Sequence, residues 1–198
     1  LADLALVMAH LRRGEMEKAL AAQAELERKQ PGNAFVHNLR GGLMLAKRDV
    51  SAARAAFEKA LSIQPNYVAA AVNLGRLDLA DRKPADAVGR IKAIVERDPK
   101  SVEALLTLAE VQRATGAAAA EVLATLERAE AVAPGAVVPN LAIVQHHLQQ
   151  RQVARALQVA QKIASAHEND PRALEALART QLAAGDTQQA VSTLNRLV

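Results

Sequence analysis

The feature that most constrains this chain is a repeat of about 34 residues. Pro31, Pro65 and Pro99 lie 34 residues apart, and Pro134 follows after 35. A fixed period of about 20–50 residues is typical of solenoids and arrays, in which each repeat is one supersecondary unit. We therefore interpret the 198 residues as a stack of short units rather than as one globule.

Two further registers of small residues share this spacing. One is alanine, and the other is glycine or alanine with Val7 and Val144 as larger exceptions. Their members are Ala19, Ala53, Ala87, Ala156 and Ala190, and Gly41, Gly75, Ala109 and Ala178. A small residue once per unit indicates that one helix crosses another there at close range. The registers divide the chain into units 1–33, 34–67, 68–101, 102–136, 137–170 and 171–198, with one residue inserted near Gly116–Ala120.

Each unit has the pattern of two amphipathic helices, with apolar residues at three- and four-residue steps on both sides of a short polar break. We predict that the second helices end before the four prolines, because proline clashes with the preceding turn. Asp49 and Asp186 are predicted N-caps, and Pro84 and Asp170-Pro171 fit helix starts. Gly14, Gly116 and Gly185 are predicted to adopt left-handed backbone after first helices. The expected fold class is all-α.

A known repeat has, in order along each unit, a small residue, an alanine, an aromatic residue, a second alanine and a proline at fixed positions. Residues 34–67 match all five positions, with Gly41, Ala53, Phe57, Ala60 and Pro65. The chain thus resembles the tetratricopeptide repeat (TPR) family over its whole length. This resemblance implies an α-solenoid of about six helix-turn-helix units in a right-handed superhelix, and a protein-binding function. A pentatricopeptide array fits less well, because its repeats are typically one residue longer and lack this glycine, alanine and proline register.

A narrower resemblance rests on three runs: HLRRGEMEKALA (10–21), VHNLRGGLMLAKRDVSAARAAFEKAL (36–61) and LAAGDTQQAVSTLNRLV (182–198). These runs are similar to the TPR-repeat lipoprotein of bacterial PEP-CTERM/exosortase systems, a family that accompanies exopolysaccharide production and protein sorting. The resemblance implies a periplasmic or outer-membrane-associated parent chain, with a cytoplasmic location as the alternative. The alternative function is that of a TPR adaptor region of a larger enzyme or secretion machine.

The TPR resemblance also implies a binding groove. In that family the first helix of each unit lines the concave face through its positions 2, 5, 9 and 12. In this sequence the predicted partner-binding residues are Leu4, Met8, Asn38, Leu45, Val72, Arg76, Leu79, Leu106, Glu110, Arg113, Leu141, Gln145, Leu148, Glu175 and Arg179. The same registers contain Phe35, Val138, Arg172 and Leu182. The expected partner is therefore a protein or an extended or helical peptide whose side chains alternate in character.

The TPR clamp for acidic chaperone C-termini provides one specific test of this groove. It uses lysine and asparagine in one repeat and asparagine in the next. Asn73 matches the last position, but Asn38 and Gly42 replace the first two. The sequence therefore argues against a clamp of this kind.

No catalytic constellation is present, and we expect neither an enzyme nor a cofactor. The chain contains no H-E-x-x-H, G-x-S-x-G or S-x-x-K motif and no cysteine. His146 and His147 are adjacent, whereas helical metal ligands favour i, i+3 or i+4 spacing, so we interpret them as packing residues. Asp78 is expected to pair with Arg82, four residues later.

Charge and hydropathy argue against two other classes of partner. The formal net charge is only +4, and aromatic residues make up 2% of the chain. Binders of single-stranded nucleic acid combine a basic groove with stacking aromatics, so no nucleic-acid partner is expected. No run approaches the roughly 18 apolar residues of a membrane span, so we expect no direct membrane insertion by this segment.

The ends of the sequence suggest a fragment of a longer repeat protein. It begins with Leu1 inside a helical pattern and finishes with the apolar pair Leu197-Val198. Exposed terminal repeats normally need a polar cap. We therefore expect the isolated chain to associate end to end or to fray at its last hairpin.

Overall fold

The computed structural model describes residues 2–197, and these residues are helical with no strand. The α-helices are α1 Ala2–Arg12, α2 Met16–Lys29, α3 Ala34–Ala46, α4 Val50–Ile63, α5 Val68–Ala80, α6 Pro84–Arg97, α7 Val102–Ala114, α8 Ala119–Val132, α9 Val137–Gln149, α10 Val153–Ala166, α11 Pro171–Ala184 and α12 Thr187–Leu194, followed by a 3-10 turn Asn195–Leu197. The predicted all-α class is confirmed. None of the described helices combines the length and apolar character that a bilayer span demands.

The chain forms two compact units. Unit 1 comprises Leu1–Asp98 with helices α1–α6, and unit 2 comprises Pro99–Val198 with helices α7–α12. Within each unit, consecutive helices pair as hairpins, and the second helix of one hairpin packs on the first helix of the next. This arrangement buries one stripe of every helix, which a single hairpin could not do.

The helix ends follow the sequence signals closely. The second helices α2, α4, α6 and α8 each end two residues before one of the four spaced prolines. The turn between α7 and α8 has four residues, whereas the equivalent turns between α3 and α4 and between α5 and α6 have three. The inserted residue therefore lies in a turn and leaves the helices intact.

Left-handed backbone follows the first helix of every hairpin. Gly14, Gly116 and Gly185 have φ values of 71°, 79° and 88°, which confirms the prediction. The other three hairpins place arginine at the same register, at Arg48, Arg82 and Arg151, with φ values of 64°, 60° and 57°. A side chain at positive φ brings Cβ close to the carbonyl oxygen, so these three turns are strained.

Two of the predicted caps are confirmed and one is wrong. The Asp49 side chain accepts a hydrogen bond from the Ala52 N–H, and that of Asp170 accepts one from Arg172. Asp186 is the N-cap of α12, but its side chain makes no cap hydrogen bond. Its ψ is 61°, against 81° at Asp49, so its backbone is further from the extended conformation that turns a capping oxygen toward the free N–H groups.

The small-residue registers lie at the buried helix crossings. Ala53, Ala87 and Ala156 have 0% of their surface exposed. A methyl group added at Gly41 would lie 2.3 Å from Cε1 of Phe57, so an alanine here would force the buried Phe57 ring to move. At Gly75 the nearest atoms to such a methyl group belong to Ala87 at 3.8 Å, an ordinary contact.

In unit 1 the buried Asp78 forms ion pairs with two arginines, and its predicted pairing with Arg82 is wrong. Its side chain is 2% exposed and accepts hydrogen bonds from Arg54 of α4 at 2.7 Å and from Arg90 of α6. The predicted partner Arg82 lies beyond the end of α5 at Ala80, where the helical i, i+4 geometry no longer exists. Burial acts to raise the pKa of Asp78, but the two guanidinium groups outweigh it and hold this pKa below its usual range.

In two hairpins of unit 2, the residues in the registers of Asp78 and Arg90 are neutral and hydrogen-bond to each other. The Thr125 hydroxyl donates to Oε1 of Gln112 at 2.8 Å, and the Thr193 hydroxyl donates to Oε1 of Gln181 at 2.8 Å. These buried polar groups are hydrogen-bonded within their own hairpins, so their burial carries no unpaired donor or acceptor.

Candidate protein-binding face

The predicted groove residues lie on the first helix of each hairpin and reach solvent. Each unit has its own such surface, which we call its first-helix face; it lies on α1, α3 and α5 in unit 1 and on α7, α9 and α11 in unit 2. The exposed members are Met8, Arg76, Glu110, Arg113, Gln145, Glu175 and Arg179, and the half-buried ones are Leu4, Asn38, Leu45, Val72, Leu79, Leu106, Leu141 and Leu148. None of the fifteen is buried, because these registers lie opposite the stripe that packs on the second helices.

Large apolar side chains are exposed on this face in both units. Met8 is 42% exposed and Phe35 40% in unit 1, while Val138 is 48% exposed and Leu182 52% in unit 2. They share the face with half-buried leucines. Each unit thus presents exposed apolar side chains on the surface that the predicted groove residues occupy.

In unit 2 the face contains a cleft of about 270 Å³ between α9 and α11. We call it the α9–α11 cleft. It is lined by Leu141, Val144, Gln145, Leu148, Arg172, Glu175, Ala176 and Arg179. Five of the predicted groove residues therefore line one cavity. One wall is largely aliphatic, from α9, and the other is largely charged, from α11.

A second, smaller cleft of about 100 Å³ lies between α7 and α9. Leu106, Glu110, Arg113 and Gln145, all predicted groove residues, contribute to its lining together with Val138 of the same face. Gln145 lines both clefts. The two cavities therefore adjoin one another along α9.

The charges around the α9–α11 cleft are already paired within the chain. Arg179 donates to Glu175 at 2.7 Å, one helical turn away, and Arg172 donates to Asp170 at 2.8 Å. The bond from Arg172 lowers the pKa of Asp170 to about 2. Such exposed ion pairs contribute little to stability.

In unit 1 the predicted groove residue Asn38 hydrogen-bonds to a neighbouring helix. The side-chain amide of Asn73 donates to Oδ1 of Asn38 at 3.0 Å, which links α5 to α3. This bond agrees with the sequence argument against a carboxylate clamp, since Asn73 has a packing role here. Arg76, one turn further along α5, is exposed.

The adjacent histidines lie behind the face, in the buried part of α9. His146 is 4% exposed and His147 6%, and Nδ1 of His147 donates to Oε1 of Gln152 at 2.8 Å. Burial, followed by the neighbouring His147 and Arg113 charges, lowers the pKa of His146. No group of three or more His, Cys, Asp or Glu residues suited to a metal occurs within the described part of the chain.

The TPR groove positions 2, 5, 9 and 12 did not identify two residues that line the α9–α11 cleft. Val144 and Ala176 form part of the lining although neither occupies one of the four groove positions. Val144 did carry a signal, because it is one of two large residues in a register of glycine and alanine. The small Ala176 leaves room beside it, which a pattern along one helix does not reveal.

The helical hairpins, their small crossing residues and their first-helix face define a helical-repeat protein of the protein-binding class. Family models described as tetratricopeptide repeat match residues 4–68 and 72–137, and a related one of the same description matches residues 147–198. The chain belongs to the tetratricopeptide repeat family. Proteins of this family are generally non-catalytic interaction scaffolds.

Solved structures share the fold. The chain is similar to PilW, a widely conserved type IV pilus biogenesis factor, at 20% identity and a TM-score of 0.66, covering 99% of this chain and 90% of that one. It is similar to MamA at 21% identity and a TM-score of 0.57 over 83% and 89% of the two chains. YrrB, described as a TPR protein with an unusual peptide-binding site, is 13% identical with a TM-score of 0.52 over 89% and 90%. No curated protein matches the sequence significantly.

Proposed function

We propose that this chain is a non-catalytic scaffold that binds a peptide or a partner protein on its first-helix face. The observation that carries the proposal is the α9–α11 cleft, in which five independently predicted groove residues meet. An aliphatic wall facing a charged wall suits a segment with one apolar and one polar side. The peptide-binding site named for the fold relative YrrB supports the same class of ligand.

The biological setting we propose is a bacterial envelope system for exopolysaccharide production and PEP-CTERM protein sorting. Its support is the likeness of the runs 10–21, 36–61 and 182–198 to the TPR lipoprotein of those systems. In this setting the parent chain is periplasmic or attached to the outer membrane. The scaffold would hold components of the sorting or export machinery.

Site-directed photo-crosslinking in a host with such a system tests the face. A photoreactive residue replaces Gln145, which lines both clefts, and in a matched protein it replaces Gln158, an exposed glutamine of the second helix α10. We expect a discrete cross-linked partner from position 145 and none from position 158. Equal cross-linking from both positions would contradict the proposed face.

The identity of the cross-linked protein tests the setting separately. A component of polysaccharide export or protein sorting supports it, whereas a domain of a larger enzyme or secretion machine favours the adaptor alternative. Charge reversal of Arg76 and Arg113, both exposed on the face, should weaken capture of the same partner. Unchanged capture by the doubly reversed variant would count against a contribution of these charges.

A further inference from the structure

One register of the first helices holds side chains of very different size. Its members, from α1 to α11, are Ala5, Leu39, Asn73, Thr107, Ala142 and Ala176. The repeat therefore folds with a leucine or an asparagine at this register as well as with an alanine. A small residue here is not a requirement of the fold, in contrast to the alanines at the buried helix crossings, and it calls for another explanation.

In unit 1 the larger members of this register fill the space beside the preceding first helix. Leu39 of α3 packs against a core cluster formed by α1, α2 and α3, and Asn73 of α5 donates to Asn38 of α3. In unit 2 the two alanines line cavities instead: Ala142 lines the cleft between α7 and α9, and Ala176 lines the α9–α11 cleft. A short side chain at this register thus leaves open a space between first helices that a longer one would occupy.

The α9–α11 cleft has the size of an aromatic side chain. Its volume is about 270 Å³, whereas the cleft beside Ala142 has about 100 Å³. A cavity of about 150 Å³ is enough to hold a benzene ring, and pockets for whole small molecules begin at about 300 Å³. The larger cleft therefore fits one ring and the chain that carries it, and the smaller cleft does not.

The lining of the α9–α11 cleft has the chemistry that recognises an aromatic ring. Leu141, Val144 and Leu148 form an aliphatic wall on α9, and Arg172 and Arg179 belong to the opposite wall on α11. A ring can pack one face on aliphatic side chains, while the negative potential of its other face attracts a guanidinium group. An aliphatic ligand group would lack the second interaction, and a carboxylate would lose its hydration against the aliphatic wall.

The ion pairs of the two arginines are compatible with this contact. Arg179 donates to Glu175, and Arg172 donates to Asp170, through the N–H groups at the edge of each guanidinium plane. Stacking on a ring uses the face of that plane, so both ion pairs can persist when the cleft is occupied.

We propose that the α9–α11 cleft holds one aromatic side chain of the bound partner, and that Ala176 determines this specificity by leaving the cleft open. The inference rests on the proposed binding function and names the chemical group that the site selects. The ring lies between the aliphatic wall of α9 and the arginines of α11. Gln145, which is exposed beside the cleft, can pair with a tyrosine hydroxyl or a tryptophan N–H.

Methyl NMR of the whole chain tests the cleft without knowledge of the partner. N-acetyl-tryptophanamide is the probe, and it should shift the methyl signals of Val144, Leu148 and Ala176 in a saturable way, whereas N-acetyl-glycinamide should not. Ala176→Leu should abolish the saturable shifts because its side chain fills the cleft. Ala142→Leu, the same change at the same register beside the smaller cleft, is the matched control and should preserve them. Equal shifts with both probes, or an unchanged titration of Ala176→Leu, would overturn the proposal. Circular dichroism verifies that both variants remain helical.

Photo-crosslinking from position 145 separates this inference from the proposed function. Ala176→Leu should reduce capture of the cross-linked partner by roughly 30-fold or more, the weight of a typical aromatic anchor, and Ala142→Leu should reduce it far less. Full capture by Ala176→Leu would overturn the aromatic anchor and leave the proposed face standing. Loss of the partner from the unsubstituted chain would contradict the face itself, and the probe titration would still decide what the cleft selects.

Discussion

Unit 1 and unit 2 consist of the same kind of helical hairpin, but the polar side chains that link their helices differ in charge. Unit 1 contains 16 of the 25 Lys and Arg residues and 12 of the 21 acidic ones, so it carries the whole net charge of +4. Its helices are linked by ion pairs, such as Lys29 with Asp3 at 2.8 Å and Arg40 with Glu27 at 2.8 Å. Unit 2 is formally neutral and uses neutral hydrogen bonds in the equivalent layer.

This difference shows that the same pair of registers holds different buried polar pairs in different hairpins. Asp78, Gln112 and Gln181 share one register of the first helix, and Arg90, Thr125 and Thr193 share one register of the second. In these three hairpins a long side chain pairs with a shorter one, and a hydrogen-bond donor with an acceptor. The buried pair therefore follows a local rule of complementarity, and its charge can vary between hairpins.

The largest effect is expected at the helix crossing of unit 1. Gly41→Ala places a methyl group 2.3 Å from the Phe57 ring, which must move within a packed core. We expect the free energy of unfolding to fall by about 2–3 kcal/mol, the usual cost of overpacking. Urea titration followed by circular dichroism measures it.

Gly75→Ala is the matched control for that crossing. Its methyl group would meet Ala87 at 3.8 Å, and alanine favours a helix over glycine, so stability should rise by about 0.5–1 kcal/mol. Adding Phe57→Leu to Gly41→Ala should restore much of the loss. Equal effects at Gly41 and Gly75 would show that Phe57 does not set the difference.

The buried polar layer should respond more strongly in unit 1 than in unit 2. Asp78→Asn removes the carboxylate that two arginines share, and we expect a loss of about 2 kcal/mol. Thr125→Val removes one neutral hydrogen bond to Gln112 and should cost about 1 kcal/mol. Hydrogen exchange localises each loss to its own hairpin.

Lowering the pH tests how much the ion pairs of Asp78 contribute to stability. The pKa of Asp78 is lowered in the folded state, so its stabilising effect is present above the pKa of about 3.9 in the unfolded chain. That effect disappears as the pH falls through the lower folded value. The difference between wild type and Asp78→Asn should therefore shrink in acid, and a constant difference would contradict the assignment.

The strained turns should give a smaller gain. Arg48→Gly relieves a side chain held at a φ of 64°, and stability should rise by about 0.5–1 kcal/mol. Lys47→Gly, one residue earlier at a φ of −79°, should destabilise instead, because glycine only adds freedom to the unfolded chain there. Thermal unfolding measures whether each substitution raises or lowers stability.

The smallest expected effect is a pH dependence in unit 2. Burial lowers the pKa of His146, so the folded chain binds a proton less readily than the unfolded chain. Stability should be complete above about pH 6.5, the value for a free histidine, and should decline as the pH falls below it. Urea titrations at pH 8 and pH 5 should show a smaller difference for His146→Leu, and an unchanged difference would exclude this origin.

Much of the fold was predictable because its signals are local. Prolines and glycines mark the helix ends through their own backbone restrictions, and the alanine register marks the crossings. The fifteen predicted groove residues, placed by the TPR resemblance, are all exposed or half-buried. The left-handed Arg48, Arg82 and Arg151 could have been found by extending the glycine register by 34 residues at a time, with one extra residue after Gly116 for the insertion.

Other features depended on neighbours that are distant in the sequence. The C-terminal pair Leu197-Val198, predicted to need a cap, lies outside the residues whose side chains the structure describes. Asp186 makes no cap hydrogen bond although it occupies the same register as Asp49, and the two residues differ in ψ by a backbone geometry that the sequence pattern does not specify. The α9–α11 cleft arises from the fit of two helices that no single-helix pattern describes.

The sequence by itself determined the hairpins and their spacing, since these follow from backbone preferences and a period of 3.6 residues. Its resemblance to the TPR family indicated the side of each first helix that meets solvent. Only the tertiary structure decided that alanine at Gly41 would displace Phe57 while alanine at Gly75 would fit, and that Asp78 pairs with Arg54 and Arg90. The physical reason is that steric fit and ion pairing depend on distances of a few ångströms between helices, which the order of residues along one helix does not specify.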